Sequence, residues 1–343
     1  MTNAFPPNQQ FRLAARPLGM PRREDWDFHE EAVGEAASGG IVVKVLYLSL
    51  DPAMRGWMNE GKSYIRPVAI GEVMRAGGLG IVVDSKSPRF AVGDYVVGGT
   101  GVQRYWCGPA DDKAAAFTKI DPLLAPLTAW LNTLGMPGMT AFFGLREVGQ
   151  PKPGETVVVS GAAGAVGMTV GQVAKKMGCR VVGIAGGQDK CRFVVEQLGF
   201  DACIDYKAGP VAAGLKQHCP QGVDVYFDNV GGEILDAVLT RINMKARIVI
   251  CGAISQYNAT SQVKGPANYL SLLVNRARME GMVVFDYAPR YAEGVATLAG
   301  WMQEGSVKSI EDVTTGFERF PEALLMLFEG KNLGKLVLKV ADA

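Results

Sequence analysis

Short apolar runs, each bounded by glycine, proline or aspartate, occupy the first third of the chain. Three of them have the length and the β-branched composition of strands: Ile41–Leu48, Gly80–Asp84 and Tyr95–Gly98. Helical periodicity is weak in this part of the sequence. Several short strands separated by turn residues are typical of a small barrel or sandwich. We therefore predict a β-rich domain over residues 1–125.

From about residue 126 the pattern changes to alternating strands and helices. The apolar run Thr156–Ser160 predicts a strand, and a glycine-rich turn follows it. The apolar residues from Val166 to Met177 are then spaced by 4, 3 and 4 positions, which places them on one face of a helix. Gly178 is a typical helix stop, and Arg180–Ala185 predicts the next strand. This segment has the length of one βαβ unit.

Four more apolar runs continue the alternation. They predict strands at Ala202–Asp205, Val223–Asp228, Ala246–Cys251 and Met282–Phe285, with helical segments between most of them. Near-continuous apolar strands that alternate with helices indicate a parallel sheet covered on both faces. The predicted fold class is therefore α/β, with a doubly wound parallel sheet over residues 126–300 and a second, β-rich domain.

The pattern becomes mixed again after residue 300. It predicts a strand at Val313–Phe317, a helix at Pro321–Glu329 and a strand at Lys335–Val340. We expect residues 301–343 to return to the first domain, so that the parallel-sheet domain is an insertion.

Composition and charge exclude several classes of function. The 35 Lys and Arg residues nearly balance the 34 Asp and Glu residues, so no global field attracts nucleic acid or an anionic membrane. No apolar run reaches 18 residues, and the first residues lack the pattern of a signal peptide, so we expect neither a membrane span nor secretion. The six cysteines are typical of reduced thiols in a cytoplasmic protein.

The two histidines give no indication of a metal site or of a hydrolytic triad. His29 lies in a charged stretch and His218 precedes Cys-Pro, which is typical of surface residues. The sequence contains no CxxC, HExxH or GxSxG motif. We predict no metal site and no Ser-His-Asp hydrolase.

A glycine-rich loop follows the first strand of the predicted parallel sheet. Residues 160–167 read SGAAGAVG, which differs from the dinucleotide fingerprint G-x-G-x-x-G by one methyl group at its first position. Gly164 would let the backbone approach a pyrophosphate, and Gly167 would let the helix pack closely on the strand. The helix N-terminus itself attracts phosphate. The loop therefore favours nucleotide binding, with a tight structural turn as the alternative.

The end of the second strand bears on the choice of cofactor. An NAD site uses a carboxylate at that point to hold the ribose 2′-hydroxyl, but Ile184–Gln188 offers none. Lys190 and Arg192 follow, and a cation there can pair with a 2′-phosphate, whereas Asp189 lies beyond the strand end. The sequence therefore favours NADPH over NADH. The alternative is that Lys190 is a solvated residue at the start of a helix.

Two further loops follow strands of the same sheet. They are Asn229–Gly232 and Cys251–Ser255, and ligands of a doubly wound sheet bind at the carboxyl ends of its strands. Their glycines permit close approach, and an asparagine amide can both donate and accept hydrogen bonds. Each loop is thus a candidate for cofactor contact, with an ordinary strand-to-helix turn as the alternative.

Several motifs together carry a family resemblance. GAAGAVG, DNVGG, CGAISQYN and NLGK occur in this order, beside DPAMRGWM and RARMEGMVV. With them the chain resembles the zinc-independent branch of the medium-chain dehydrogenase/reductase superfamily, in the group of NADPH-dependent alkenal and enone double-bond reductases. The resemblance runs from about Asp51 to Val340. It implies a GroES-like catalytic domain, a Rossmann domain that binds NADPH, an active site in the cleft between them, and a cytoplasmic homodimer.

The resemblance also implies a set of cofactor-binding residues, carried over motif by motif. With Gly164 they are Ala165, Val166, Gly167 and Met168 at the pyrophosphate, Lys190 and Tyr206 at the 2′-phosphoadenosine end, and Asn229, Cys251, Gly252, Ala253, Ile254, Ser255, Tyr257, Met282, Val283, Val284 and Asn332 along the remaining path. Two departures stand out. Met168 replaces a frequent hydroxyl residue, and Val274 occupies the place of a tyrosine thought to assist at the substrate carbonyl in mammalian and plant relatives.

The implied reaction is reduction of the double bond of an α,β-unsaturated ketone or aldehyde. Hydride from the cofactor adds to the β-carbon, and negative charge develops on the carbonyl oxygen, where a hydrogen-bond donor lowers the barrier. We predict Tyr64 and Tyr257 as candidate donors, with Tyr269 third. The cofactor ribose hydroxyl is the alternative donor, and water can protonate the α-carbon.

Two other functions stay open at this point. A zinc-free branch of the same superfamily reduces quinones, so an NADPH quinone reductase is the nearest enzymatic alternative. A non-catalytic NADPH-binding sensor is the other. Dehydrogenation of simple alcohols is disfavoured because the sequence lacks zinc-ligand motifs.

Overall fold

The computed structural model describes residues 5–343, which form two compact units. Unit 1 extends to Leu131 and takes in Glu311–Lys331 and Leu336–Ala343, whereas unit 2 consists of Asn132–Ile310 and Asn332–Lys335. The boundaries at 131 and 310 lie six and ten residues beyond those predicted at 125 and 300. The predicted tail 301–343 does not return to unit 1 as a whole, because 301–310 and 332–335 belong to unit 2.

Fifteen strands and nine α-helices make up the described residues, besides short 3-10 and π segments. In chain order the strands are β1 (Asn8–Leu13), β2 (Trp26–Glu31), β3 (Gly40–Ser49), β4 (Gly77–Ser85), β5 (Tyr95–Gly99), β6 (Tyr105–Pro109), β7 (Thr118–Lys119), β8 (Thr156–Ser160), β9 (Arg180–Ala185), β10 (Ala202–Asp205), β11 (Val223–Asp228), β12 (Ile242–Ile250), β13 (Arg278–Gly281), β14 (Glu311–Thr315) and β15 (Lys335–Lys339). The helices are α1 (Ala53–Trp57), α2 (Met136–Phe143), α3 (Ala165–Lys176), α4 (Gln188–Leu198), α5 (Val211–His218), α6 (Gly232–Leu239), α7 (Leu270–Val274), α8 (Tyr291–Gln303) and α9 (Phe320–Glu329).

Unit 1 is built around the long strand β3. Eight of its ten residues are buried, and it pairs antiparallel with β4, β6 and β15. The sheet order is β14-β15-β3-β4-β5-β7, with β6 on β3. The predicted strands of this region are confirmed by β3, β4 and β5. The hairpin of β1 and β2 was not predicted from the sequence, because its polar and apolar residues do not alternate cleanly.

An aromatic cluster explains why the end of the chain returns to unit 1. Phe320, at the start of α9, lies with its ring centroid 5.2 Å from that of Phe11 and 5.0 Å from that of Trp26. The ring centroids of Phe317 and Phe11 are 5.3 Å apart. Both C-terminal phenylalanines are fully buried, and side chains of this size contribute about 1.5–3 kcal/mol each when removed from water.

Unit 2 contains the predicted parallel sheet. Its order is β10-β9-β8-β11-β12-β13, and every neighbouring pair is parallel. The chain order of the strands reverses between β8 and β11, which is the switch point of a doubly wound fold. Val157, Val158 and Val159 in the centre of β8 are fully buried, as expected for a strand covered on both faces. The predicted α/β fold class is confirmed.

The predicted strand at Met282–Phe285 is wrong. The strand is β13, and it ends at Gly281, while a 3-10 helix begins at Val284. Met282 and Val284 are buried beyond the strand end, so their apolar character reflects packing. β13 itself is an edge strand of mostly exposed residues, which carries no apolar signal. Within residues 5–343, no helix is long and apolar enough to cross a membrane.

Candidate nucleotide-binding site

The glycine-rich loop joins β8 to α3 at the switch point of the parallel sheet. Gly161 has φ +61°, a conformation that favours glycine, and its carbonyl oxygen accepts a hydrogen bond from the Gly164 N–H at 2.9 Å. A Cβ on Gly167 would lie 2.2 Å from that same carbonyl oxygen. The Ala162 N–H donates to the Ile184 carbonyl oxygen on β9 at 3.1 Å. The loop is therefore fixed to the sheet and packed against the first turn of α3.

The N-terminus of α3 is suited to an anion. Gly164 is the N-cap residue, and no side chain caps this end of the helix. The first turn contains no acidic residue, whereas Lys175 and Lys176 lie in the last turn. Uncapped amides at the positive end of a twelve-residue helix attract phosphate.

The segment 332–335 lies directly against this loop. The Gly334 N–H donates to the Ala163 carbonyl oxygen at 2.8 Å, and Gly334 forms a parallel bridge with Gly164. The buried Asn332 side chain donates to the Gly334 carbonyl oxygen at 2.9 Å. These bonds explain why the NLGK motif belongs to unit 2 rather than unit 1.

A buried carboxylate organises the next loop of the site. Asp228, at the end of β11, is 1% exposed. Its Oδ1 accepts hydrogen bonds from the Tyr226 hydroxyl at 2.8 Å and the Ser160 hydroxyl at 3.0 Å. It also accepts from the backbone N–H groups of Val230 at 3.0 Å and Gly231 at 2.9 Å. Four donors on one oxygen hold the Asn229–Gly232 turn in place beside β8.

Asn229 is held by the same network. Its backbone N–H donates to the Ser160 Oγ at 3.0 Å, and its side-chain amide donates to the Ser160 carbonyl oxygen at 2.7 Å. Burial and the neighbouring Asp228 charge raise the pKa of Tyr226 well above its ordinary value, so its phenol keeps the proton that it donates. Neither Asp228 nor Ser160 was singled out from the sequence. The only available signal was the polar residue that ends each of the two strands β8 and β11.

The loop after β12 is tied to the loop after β11. Backbone N–H groups of Cys251 and Gly252 donate to the Asp228 carbonyl oxygen at 2.9 and 3.1 Å. The Ser255 hydroxyl donates to the Val230 carbonyl oxygen at 2.6 Å. Burial and the Asp228 charge raise the pKa of Cys251 to about 12, so that it is a neutral thiol at physiological pH.

The end of β9 forms a second corner of the site. Gly187 has φ +106°, and its N–H donates to the Asp205 carboxylate at 2.8 Å. A Cβ on Gly186 would lie 2.7 Å from the Tyr206 hydroxyl oxygen, so Tyr206 packs directly on this turn. Asp205 also accepts from the Lys207 N–H at 2.9 Å and is thus engaged with its own backbone. This corner therefore combines exposed glycine backbone with a half-exposed aromatic ring.

Lys190 lies in the first turn of α4, just beyond that corner. Its side chain is half-buried and lines a depression of about 430 Å³ together with Phe193, Glu196 and Leu333. Asp189 forms an ion pair with Arg192 on the solvent side of α4.

The two predicted donor tyrosines lie in different units. Tyr64 belongs to unit 1 and is 58% exposed in a segment without regular structure. Tyr257 belongs to unit 2, where its hydroxyl oxygen accepts a hydrogen bond from the Ala253 N–H at 3.2 Å. That bond places Tyr257 in the same loop as the predicted cofactor residues after β12. Tyr269 precedes α7 and is also 58% exposed.

Unit 2 contains the whole predicted cofactor set. The loops after β8, β11 and β12 lie side by side through the bonds described above, and the Met282 N–H joins them by donating to the Ile250 carbonyl oxygen at 3.0 Å. The Met168 side chain is buried, and its N–H donates to the Gly164 carbonyl oxygen at 2.9 Å, so this amide is engaged within α3. Across residues 5–343, no group of three or more His, Cys, Asp or Glu side chains could hold a metal ion.

Comparisons with known proteins agree with this architecture. Residues 9–116 match the family described as the N-terminal domain of oxidoreductase, and residues 165–300 match the family described as zinc-binding dehydrogenase. The NADPH-dependent curcumin reductase of Escherichia coli (strain K12) is 42% identical over 97% of this chain and 97% of its own length. The NADP(+)-dependent 2-alkenal reductase of Nicotiana tabacum is also 42% identical, over 97% of this chain and 98% of its own.

A solved structure extends the similarity to three dimensions. CurA from Vibrio vulnificus, crystallised in complex with NADPH, is 42% identical to this chain, with a TM-score of 0.92 over 98% of this chain and 100% of its own. The agreement covers both units, which confirms the predicted Rossmann and GroES-like domains. The chain therefore belongs to the medium-chain dehydrogenase/reductase superfamily, in the group of alkenal and enone reductases that its motifs resemble.

Proposed function

We propose that this protein is an NADPH-dependent oxidoreductase that reduces the carbon–carbon double bond of α,β-unsaturated ketones and aldehydes. The observation that carries the proposal is the uncapped N-terminus of α3 above a glycine loop too tight for side chains. The reaction type is supported by the curcumin and 2-alkenal reductases, which are similar to nearly the whole chain.

The residues of unit 2 fit the phosphates of NADPH. The amides of Ala165, Val166 and Gly167 belong to the first turn of α3 and would hold the pyrophosphate. Lys190 would pair with the 2′-phosphate, because the end of β9 carries glycine instead of a carboxylate. The exposed Tyr206 ring, packed on Gly186, would contact the adenosine end.

The protein's own contribution to the reaction is orientation and hydrogen bonding. When bound, NADPH supplies the hydride that reaches the β-carbon of the substrate. The substrate carbonyl oxygen then gains negative charge, and a phenol that donates to it stabilises that charge. We assign this role to Tyr64 or Tyr257. The Tyr257 hydroxyl accepts from the Ala253 N–H, which holds this phenol in the loop after β12.

We further infer that the protein is a cytoplasmic homodimer. The strand β13 lies at the edge of the parallel sheet, and its sequence Arg278-Met279-Glu280 is self-complementary in charge. If two copies pair antiparallel about Met279, Arg278 of each copy lies opposite Glu280 of the other. Helix α7 presents Leu270, Leu273 and Val274, which are 57–73% exposed, as an apolar surface.

The cysteines bear on the compartment. The six unbridged cysteines support a reducing compartment.

The consumption of NADPH by purified protein tests the proposed activity. Loss of reduced nicotinamide absorbance is followed with an enone, with a quinone and without acceptor, and the product is identified by mass spectrometry. We expect enone-dependent consumption and a product saturated at the former double bond. Consumption with quinone alone would favour the quinone reductase, and NADPH binding without turnover would favour the sensor.

A further inference from the structure

Two cysteines that the proposed reaction does not use contact each other in unit 2, beside the turn that follows β9. Cys191 lies on α4 and Cys203 on β10, and the Cys203 thiol donates to the Cys191 sulfur at a Sγ–Sγ distance of 2.9 Å. Neither forms a disulfide. This distance is shorter than the usual van der Waals contact between two sulfur atoms, and it is about 0.9 Å longer than a disulfide bond. The pair is therefore close to bonding geometry without a large backbone movement.

The position of the pair links it to the predicted 2′-phosphate corner. Cys191 follows Lys190 directly, and its N–H donates to the carbonyl oxygen of Gly187, the N-cap residue of α4, at 3.1 Å. Cys203 lies opposite Gly183 of β9 in the sheet, and its sulfur is 3.3 Å from where a Cβ on Gly183 would be. One sulfur therefore moves with the first turn of α4, whereas the other is anchored in the sheet.

The chemistry of the two thiols is unequal. The hydrogen bond from Cys203 lowers the pKa of Cys191 in spite of its burial. Donating that bond raises the pKa of Cys203, and burial adds to this effect. Cys191 thus has the more easily ionised thiol and is suited to be the attacking thiolate, and Cys203, with its sulfur 2.9 Å away, is suited to be the resolving thiol.

We propose that Cys191 and Cys203 are a peroxide-sensitive thiol pair whose conversion to a disulfide weakens binding of NADPH relative to NADH. The second part rests on the proposed function, since it requires Lys190 to hold the 2′-phosphate. A disulfide requires the two sulfurs to come closer together. Because β10 is held by its pairing with β9, the first turn of α4 must move instead, and this movement displaces Lys190. A misplacement of this order is enough to weaken a charge-assisted contact.

The oxidation balances with peroxide as the oxidant. The Cys191 thiolate attacks one peroxide oxygen, the O–O bond breaks, hydroxide leaves and a sulfenic acid forms. The Cys203 sulfur then attacks the Cys191 sulfur, the S–OH bond breaks, and water leaves as the disulfide forms. The two thiols are oxidised by two electrons, and one peroxide is reduced to two waters. A dithiol reductant reverses the reaction.

Peptide mapping of the full-length protein tests the first part. Reduced protein is treated with hydrogen peroxide, its remaining thiols are alkylated, and the protein is digested. The masses of its peptides are measured by mass spectrometry before and after treatment with dithiothreitol. We expect a reducible link between the peptides of Cys191 and Cys203. Cys203→Ser should stop at a Cys191 sulfenic acid that dimedone traps, whereas the exposed-thiol control Cys107→Ser should form the link as the wild type does. A different pairing, or overoxidation of Cys191 without a link, would overturn the pair.

Binding measurements test the second part without turnover. The dissociation constants of NADPH and NADH are measured by calorimetry on reduced and on linked protein. We expect the link to raise the NADPH constant about threefold or more and to change the NADH constant less than about twofold. A linked protein with an unchanged NADPH-to-NADH ratio would overturn the coupling. Reduced protein that binds no NADPH would instead refute the proposed function, and the mapping result would stand.

Discussion

The backbone of Gly161 and the Cα of Gly167 approach so closely that a Cβ on Gly167 would lie 2.2 Å from the Gly161 carbonyl oxygen. The contact joins the end of β8 to the first turn of α3, and it is backbone against backbone, so no side-chain rotation can relieve a clash. Because the same turn supplies the proposed pyrophosphate amides, close packing and phosphate binding depend on one contact.

Gly167→Ala should therefore impair both stability and cofactor binding. The methyl group must push α3 away from the loop, which we expect to lower the free energy of unfolding by about 1–3 kcal/mol and to weaken NADPH binding about tenfold or more. Urea unfolding and calorimetry measure the two effects. Gly300→Ala in α8 is the matched control, because a Cβ there meets no atom within 4 Å. A Gly167→Ala protein that binds NADPH like the wild type would contradict the assignment of this turn to the pyrophosphate.

Lys190→Ala should raise the KM for NADPH far more than the KM for NADH. If its ammonium group holds the 2′-phosphate, the KM for NADPH rises about tenfold or more, because a charge-assisted hydrogen bond contributes about 1.5–3 kcal/mol. The KM for NADH should change little, since NADH lacks that phosphate. Lys216→Ala on the exposed face of α5 removes an equal charge elsewhere in unit 2 and serves as the control. Equal effects of Lys190→Ala on both cofactors would remove the assignment.

Tyr64→Phe and Tyr257→Phe test the proposed donors. Loss of a hydroxyl that hydrogen-bonds the developing charge should lower kcat for an enone about tenfold or more while the dissociation constant of NADPH stays nearly constant. Tyr257→Phe also removes the acceptor of the Ala253 N–H, so its circular dichroism and melting temperature are compared with the wild type. Wild-type kcat in both variants would mean that neither phenol donates.

Glu280→Arg should disrupt the proposed dimer. In the antiparallel pairing of β13 about Met279, residue 280 of each copy lies opposite Arg278 of the other. The change therefore places two guanidinium groups opposite each other at each end of the contact. We expect the dimer dissociation constant to rise about tenfold or more, because like charges directly opposite destabilise paired strands. Glu280→Gln, which removes the charge without repulsion, should weaken the dimer less. Sedimentation equilibrium measures both, and a wild-type monomer or an unchanged Glu280→Arg dimer would refute this interface.

Four strands of the parallel sheet could be predicted from the sequence with the bounds that the structure gives. The predicted strands Thr156–Ser160, Arg180–Ala185, Ala202–Asp205 and Val223–Asp228 agree residue for residue, because each is a mostly apolar run. The strand β13 could not be predicted this way, since most of its residues are exposed and two of its four residues are Arg278 and Glu280. The pattern instead favoured the apolar residues just beyond it.

The site was predictable where the backbone makes the contacts. Glycines mark the phosphate loop because only glycine leaves the room that the loop requires, and that requirement is local. The Asp228 network was hidden because Ser160 and Asp228 are 68 residues apart and meet only through the pairing of β8 with β11. The Cys191–Cys203 contact likewise depends on how α4 packs on the sheet, which apolar periodicity does not specify.

Glu155→Gln should reduce stability at neutral pH and not at acid pH. Glu155 precedes β8 and forms an ion pair with Arg247 of β12, which also donates to the Gly149 carbonyl oxygen at 2.9 Å. Burial by itself would raise the pKa of Glu155, but hydrogen bonds from the Arg247 guanidinium and the Lys152 N–H outweigh burial and hold the pKa below its ordinary value. The ionised carboxylate therefore stabilises the folded state.

The pH window follows from the direction of that shift. A lowered pKa in the folded state contributes stability that is fully present above the unfolded-state pKa of about 4.3 and is lost as the pH falls through the folded-state pKa. We expect wild type to exceed Glu155→Gln by about 1–2 kcal/mol in the free energy of unfolding near neutrality, and the difference to close below about pH 4. Urea unfolding across this range measures it, with the exposed Glu196→Gln as control. A difference that persists undiminished in acid would show that Glu155 acts through packing rather than through its charge.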